Sequence, residues 1–427
     1  MTTRGRWRDG SGLRWPLVDV WKRRGLCLTA SLTASPTASL NARPTASPAA
    51  GRARITTSAV RSTVLSLLLL AALPAPTPVR ADPVTREQAL SCLAAYCDSL
   101  LARQDSVGRY ESLNAAWWRA GIATRALLGG YELLDEARYL EGALRTVRQF
   151  LREQRYDGSW FAESYETTVP ERRYSRNIAD LASMTACLPL VAPHLPAGER
   201  SAALTAHETY LRLHVPRHDL TGGAFCNGLF EGTFYEWPYS VGTANQAHAL
   251  VCHYHATGEK ACLYRAEDAA RFLVGSVRPD GRFTFHPHDT RRTSVLAPTA
   301  FHNGYYVLDG LLWVYRATER EELRQALRIA LLEHLWGEEG MLERLRDPDW
   351  MLAAEGPGRA KAFGMVGLLS ALGEVLGPVA GTGPLVEAGR VRLCERIAES
   401  TDWTVAELAF GALALAQSLS DESCLRF

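Results

Sequence analysis

From Pro83 onward the chain repeats one unit: two helical stretches joined by a short turn and followed by a long loop, at intervals of about 60 residues. Apolar residues recur at three and four spacing, as in Leu140, Leu144, Val147, Phe150 and Leu151. This predicts helices over 85–103, 114–132, 135–154, 177–192, 198–214, 242–257, 261–277, 302–318, 321–336, 360–376, 386–400 and 404–419. Connections alternate in length. Short turns join 132 to 135, 257 to 261 and 318 to 321, whereas long Gly- and aromatic-rich loops precede 177, 242, 302 and 360. Two short joints are alike, YHATGEKACLYRAEDAARFL and YRATEREELRQALRIALL.

One hairpin cannot bury its apolar face alone, so such units must stack. Twelve helices in hairpins predict an all-α fold, an (α/α)6 toroid. Helices after long loops are rich in small residues (NAAWWRAGIATRALLGG, FHNGYYVLDGLLWVY, KAFGMVGLLSALGEVLG) and suit a crowded inner ring. The Arg/Glu-rich stretches 135–154, 261–277 and 321–336 suit an outer ring. All long loops then gather at one end, where function is expected. An open α-solenoid that binds protein is the competing architecture.

The N-terminal region reads differently. Residues 1–53 are rich in Arg, Ser, Thr, Ala and Pro and cannot build a core. Residues 54–81 read as a signal peptide: Arg61, an apolar run Val64–Leu73 too short to span a membrane, and a small residue, Ala81, before the cleavage point. A start codon near residue 55–64 accounts for the long leader; a disordered leader is the plainer alternative. The expected product is a single 82–427 domain with no transmembrane segment, periplasmic or secreted. The first 81 residues carry 12 Lys/Arg and two Asp/Glu, leaving 35 basic against 44 acidic residues beyond them, a net charge of −9. That sign argues against nonspecific nucleic-acid binding. The nine Cys form no CxxC pair. His253 and His255, two apart on a helix, face different directions, so no metal ligand is expected from them; nor does any motif ask for a cofactor.

The loop that feeds the 242–257 helix, GLFEGTFYEWPYSVGTANQAHAL, crowds aromatics and carboxylates together. Such a mixture suits a polyhydroxylated ligand, with rings stacking on sugar faces and carboxylates bonding hydroxyls or moving protons. Glu231 and Glu236 are a carboxylate pair of the kind glycosidases require. His302, Asn303 and Tyr306 open the next inner helix and make a proton-transfer set, His302 and Tyr306 sharing a face. The candidate catalytic residues are Glu236, Tyr239, His302 and Tyr306. Trp160 and Trp237 are candidate sugar platforms, and Glu163, Arg176, Asn245, Gln246 and Asn303 candidate ligands of substrate. Asp309, deeper on the same helix, is a candidate buried polar partner. No nucleophile elbow, GxGxxG after a strand, Walker loop or HExxH occurs.

The hairpin signature over about 85–420 resembles the six-hairpin toroid superfamily of glycoside hydrolases, polysaccharide lyases, sugar epimerases and terpene cyclases. The turn Gln154-Arg155-Tyr156-Asp157-Gly158-Ser159-Trp160 looks like the QW turn of triterpene cyclases, whose acidic DxDD motif is missing here. Trp237-Pro238-Tyr239-Ser240 with Gln246, followed by His302-Asn303-Gly304-Tyr305, is similar to segments of the C-terminal domain of D-glucuronyl C5-epimerases. The resemblance implies an enzyme acting on a poly- or oligosaccharide, by proton abstraction at C5 of a uronic acid in its sharper form. Hydrolysis by paired Glu, or carbohydrate or peptide binding without chemistry, are the alternatives.

Overall fold

A computed structural model describes residues 83–110, 117–161, 174–230, 232–275, 299–336, 357–377, 382–400 and 402–420. The described residues all fall in the unit Pro76–Phe427; the leader and signal-peptide expectations lie outside the described residues. Thirteen helices occupy this unit's described part: α1 (Arg86–Ala102), α2 (Trp117–Leu134), α3 (Ala137–Glu153), α4 (Ile178–Thr185), α5 (Cys187–Val191), α6 (Ala197–Thr209), α7 (Ser240–Thr257), α8 (Lys260–Gly275), α9 (Thr299–Thr318), α10 (Glu321–Trp336), α11 (Pro357–Leu376), α12 (Thr382–Glu399) and α13 (Val405–Leu419). The stretch expected as one helix over 177–192 is α4 and α5, broken at Ala186, and 198–214 leaves the α-helix at Thr209 for a π turn, Tyr210–His214.

The inner ring is closed. In the order α2, α4, α7, α9, α11, α13, each helix packs on the next, and α13 returns to α2. The remaining long helices clothe this ring, α1 packing on α12. The open solenoid is thereby excluded. Helices α7 and α13 are buried along nearly their whole lengths, which explains why their sequences lack a polar face. Glycine sets the spacing. A Cβ on Gly310 of α9 would lie 2.5 Å from the Ala244 carbonyl oxygen of α7, and one on Gly367 of α11 would lie 2.6 Å from Ala414 Cα of α13. Two backbones approach there more closely than any side chain permits.

The lumen is crossed by an ion pair. Helices α2 and α9 stand three places apart in the ring of six and therefore face one another. Arg125 of α2 reaches Asp309 of α9 through two bonds, Nη1 to Oδ2 at 3.1 Å and Nη2 to Oδ1 at 3.4 Å. Both side chains are buried, and Asp309 is the buried polar partner the sequence suggested. Burial opposes its ionisation, but the facing guanidinium holds its pKa below the ordinary value.

Two capping boxes, Thr85 with Gln88 and Thr404 with Glu407, start α1 and α13. The QW-like turn rivets two outer helices. Gln154 Nε2 donates to the Ala206 carbonyl of α6 at 2.8 Å. Asp157 accepts from the Ser159 hydroxyl and from Arg176 and Arg217. Trp160 is fully buried, its Nε1 donating to the Phe150 carbonyl at 2.8 Å.

Strands were not expected, yet the loop before α7 is a hairpin. β2 (Cys226–Phe230) and β3 (Thr233–Pro238) pair antiparallel, and β1 (Arg176–Asn177) pairs with the other edge of β2. The turn runs through Gly232 at φ 75°, a conformation glycine adopts without cost.

Two outcomes test this packing. Gly310→Ala forces α7 and α9 apart and lowers unfolding free energy by about 1–3 kcal/mol in urea titrations. Arg125→Met leaves Asp309 buried without its partner and costs about 3–5 kcal/mol, whereas adding Asp309→Leu recovers most of that loss.

Candidate active site

The first turns of the inner helices converge at the long-loop end. Trp118 and Arg119 stand at the start of α2, Asp180 in the first turn of α4, Tyr239 at the N-cap of α7, Tyr306 in α9 and Lys361 near the start of α11. Lys361 is the centre of this group. Its side chain is fully buried. Its Nζ lies 5.0 Å from the Trp118 ring centroid and 5.5 Å from that of Tyr306. The Arg119 guanidinium sits 5.3 Å from the Trp118 ring. Ammonium groups are attracted to ring faces, so the aromatic pair holds the Lys361 head in place when it is protonated.

Burial is the main influence on Lys361. It pulls the pKa from 10.5 to about 7, with the Arg119 charge pushing the same way and Asp180 opposing. Tyr306 is shifted the other way: burial keeps its hydroxyl protonated, helped by Tyr305, Asp180 and Tyr239. Burial and Asp180 do the same for Tyr239. One amine poised near neutrality therefore stands with two phenols held as proton donors. Asp180, Trp118 and Arg119 are half-buried and form the more accessible part of the group.

The residues proposed from sequence divide clearly. Tyr239 and Tyr306 come together, each feeling the charge of Asp180. Glu236 is exposed on β3, as is Trp237, 53% exposed. Glu163 and Glu231 lie outside the described residues, as do the side chains of His302 and Asn303 at the start of α9. Four expectations are corrected. Trp160 cannot offer a ring to a sugar, because the QW-like turn buries it completely. Asn245 is buried, donating to the Ala179 carbonyl at 2.9 Å, and Gln246 is buried and accepts from the Tyr210 hydroxyl at 2.9 Å. Both join neighbouring helices. Arg176 is tied to Asp157 at 3.2 Å in the same turn and serves structure there.

Sequence reasoning missed Trp118, Arg119, Asp180 and Lys361. A signal was present. Lys361 and Asp180 are the last charges before long runs of small and apolar residues, AKAFGMVGLL and IADLASM, on helices assigned to the inside. A lone ionisable residue on a buried helix marks a site more sharply than a carboxylate in a polar loop.

Solved structures share this architecture. An α-1,6-mannanase, GH76A of Salegentibacter sp. HEL1_6, superposes with a TM-score of 0.55 at 11% identity over 77% of this chain and 98% of that one. A polysaccharide lyase gives 0.54 at 14% identity, over 79% and 98% of the two chains. An unsaturated glucuronyl hydrolase from Streptococcus agalactiae gives 0.50 at 13%, over 81% and 95%. The chain is a six-hairpin toroid. At such identities the likeness is one of fold. No protein-family model and no curated protein matches the sequence. Among the described residues, no helix of this toroid is long and apolar enough to cross a membrane.

The Lys361 shift has a measurable consequence. Between pH 7 and 10.5 the unfolded chain holds a proton at this lysine that the folded chain has released. Stability from this group therefore rises with pH across that window, with a slope approaching roughly 1.4 kcal/mol per pH unit. Lys361→Met removes that rise, read as the difference between wild-type and variant urea midpoints at pH 7 and pH 9.

Proposed function

We propose that the protein is an exported enzyme that abstracts the C5 proton of a uronic acid residue in a poly- or oligosaccharide and eliminates across C4 and C5. The observation that carries this reading is Lys361: a buried amine with a pKa of about 7, between Trp118 and Tyr306. A C–H beside a carboxylate becomes acidic only when the carboxylate charge is neutralised, and Arg119 is the cation at hand. The neutral amine of Lys361 takes the C5 proton. The electron pair forms the C4–C5 double bond as the C4–O bond breaks, and the departing oxygen takes a proton from the Tyr306 or Tyr239 hydroxyl. Two phenols held protonated suit that second transfer.

The fold supports the substrate class, since toroids of this shape include a polysaccharide lyase and an unsaturated glucuronyl hydrolase. Hydrolysis needs two facing carboxylates, and Asp180 is the one carboxylate that the described residues place in this cluster.

Incubation with polyuronates is the test. The expected result is a rise in ultraviolet absorbance from the unsaturated product, with kcat/KM increasing with pH through about 7. Lys361→Ala and Tyr306→Phe each lower kcat by about 100-fold or more. Solvent deuterium entering uncleaved polymer would move the assignment to an epimerase. New reducing ends without absorbance would overturn the elimination in favour of a hydrolase.

A further inference from the structure

The opposite end of the toroid carries a second group of reactive side chains. The short joint between α7 and α8 brings together His253 from the last turns of α7, Glu259 from the turn and Cys262 from the first turn of α8. The chain reverses at Gly258, at φ 74°, and the Glu259 amide is bonded to the Thr257 hydroxyl at 3.2 Å. One ligand atom from each of the three side chains lies within 4.8 Å of the others. His253 Nε2 stands 3.4 Å from Glu259 Oε2, close to the edge of about 3.3 Å that a tetrahedron with metal–ligand bonds near 2.0 Å requires. His255, two residues further, is exposed and takes no part.

The imidazole of His253 is itself positioned. Its Nδ1 faces Nδ1 of His207, a fully buried residue of α6, at 3.1 Å. That contact fixes the ring plane and turns Nε2 toward Glu259 and Cys262. A ring nitrogen held by a partner behind a ligating imidazole is the usual way a metal-binding histidine is oriented.

We propose that His253, Glu259 and Cys262 bind one zinc ion. The donor set of imidazole nitrogen, carboxylate oxygen and thiolate sulfur is borderline-soft and unsuited to calcium or magnesium. Thiolate and carboxylate together balance the ion's two positive charges. Glu259 is exposed, so water completes the tetrahedron. The site lies at the end of the toroid away from Lys361, and its role is to staple the hairpin α7–α8. Binding displaces one proton, from the Cys262 thiol to solvent; burial otherwise holds that thiol protonated.

The test uses the full chain, stripped with a chelator and reloaded with zinc or cobalt(II). One ion per chain by elemental analysis, a thiolate-to-cobalt charge-transfer band, and a zinc-dependent rise in Tm are expected. Cys262→Ser abolishes the band. Glu259→Ala, at an exposed position that does not threaten folding, weakens zinc affinity by about tenfold or more and removes the Tm rise. A folded wild-type chain that takes up no zinc overturns the proposal. So does a band that survives in Cys262→Ser, or zinc affinity unchanged in Glu259→Ala.

Discussion

A ring of six helices has a middle, and what fills it decides whether the ring stays shut. Here the Arg125–Asp309 pair fills it, reaching from α2 to α9 across the lumen. It is bidentate, which fixes the relative height and rotation of two helices far apart in sequence. Around it polar and apolar side chains are packed together, and both members of the pair are buried. The Arg125 guanidinium lies 5.8 Å from the Trp313 ring, and His248 stacks on that same ring, 4.4 Å between ring centroids. Burial, with Arg125 nearby, lowers the His248 pKa to about 3 and leaves that ring neutral. A buried pair of this kind adds little stability over an apolar replacement, and breaking it by removing one partner is costly.

The pair also divides the lumen. Tyr306 lies three residues toward the start of α9 from Asp309, and Trp118 seven residues toward the start of α2 from Arg125. At 1.5 Å per residue these place the aromatic walls of the Lys361 cluster about 5–10 Å above the ion pair. Below it, Arg125, Glu132, Asp309, Trp313, Arg316 and Gln417 line a shallow recess that is partly open to solvent. Burial there raises Glu132 to about 7. The ion pair thus separates the Lys361 cluster from this recess.

The fold was legible because it is a property of spacing. Periods of three and four residues, alternating loop lengths and small-residue helices are all visible along one line of sequence, and closure follows because each inner helix needs two apolar neighbours. The site was legible only in part. Among the candidates, Tyr306 stood out by sharing a helix face with His302 four residues before it, and Tyr239 by its place in the Trp237–Ser240 segment that enters α7. Trp160 misled, since a tryptophan after a turn can cap the core as readily as face a ligand. Its Nε1 bond to Phe150 is a long-range fact that no local pattern carries. The β2–β3 hairpin escaped notice because its strands are short, interrupted by a bulge and two-sided in polarity.

Lys361 shows what spacing cannot express. Its sequence neighbours say only that an ammonium stands on a buried helix, which is costly unless something compensates. The compensation comes from three other inner helices: the Trp118 face on α2, the Tyr306 face on α9 and the Asp180 charge on α4. Asp180 opposes the effect of burial without restoring the ordinary pKa, and the amine is left near neutrality. Four helices separated by up to some 240 residues in the chain must first be brought to one height by the ring, and the ring owes that height to glycine contacts and to the ion pair beneath. The reactivity of the amine is therefore a consequence of closure. A half-built toroid would expose Lys361 to water, return its pKa toward 10.5, and leave an unremarkable lysine at the start of a helix.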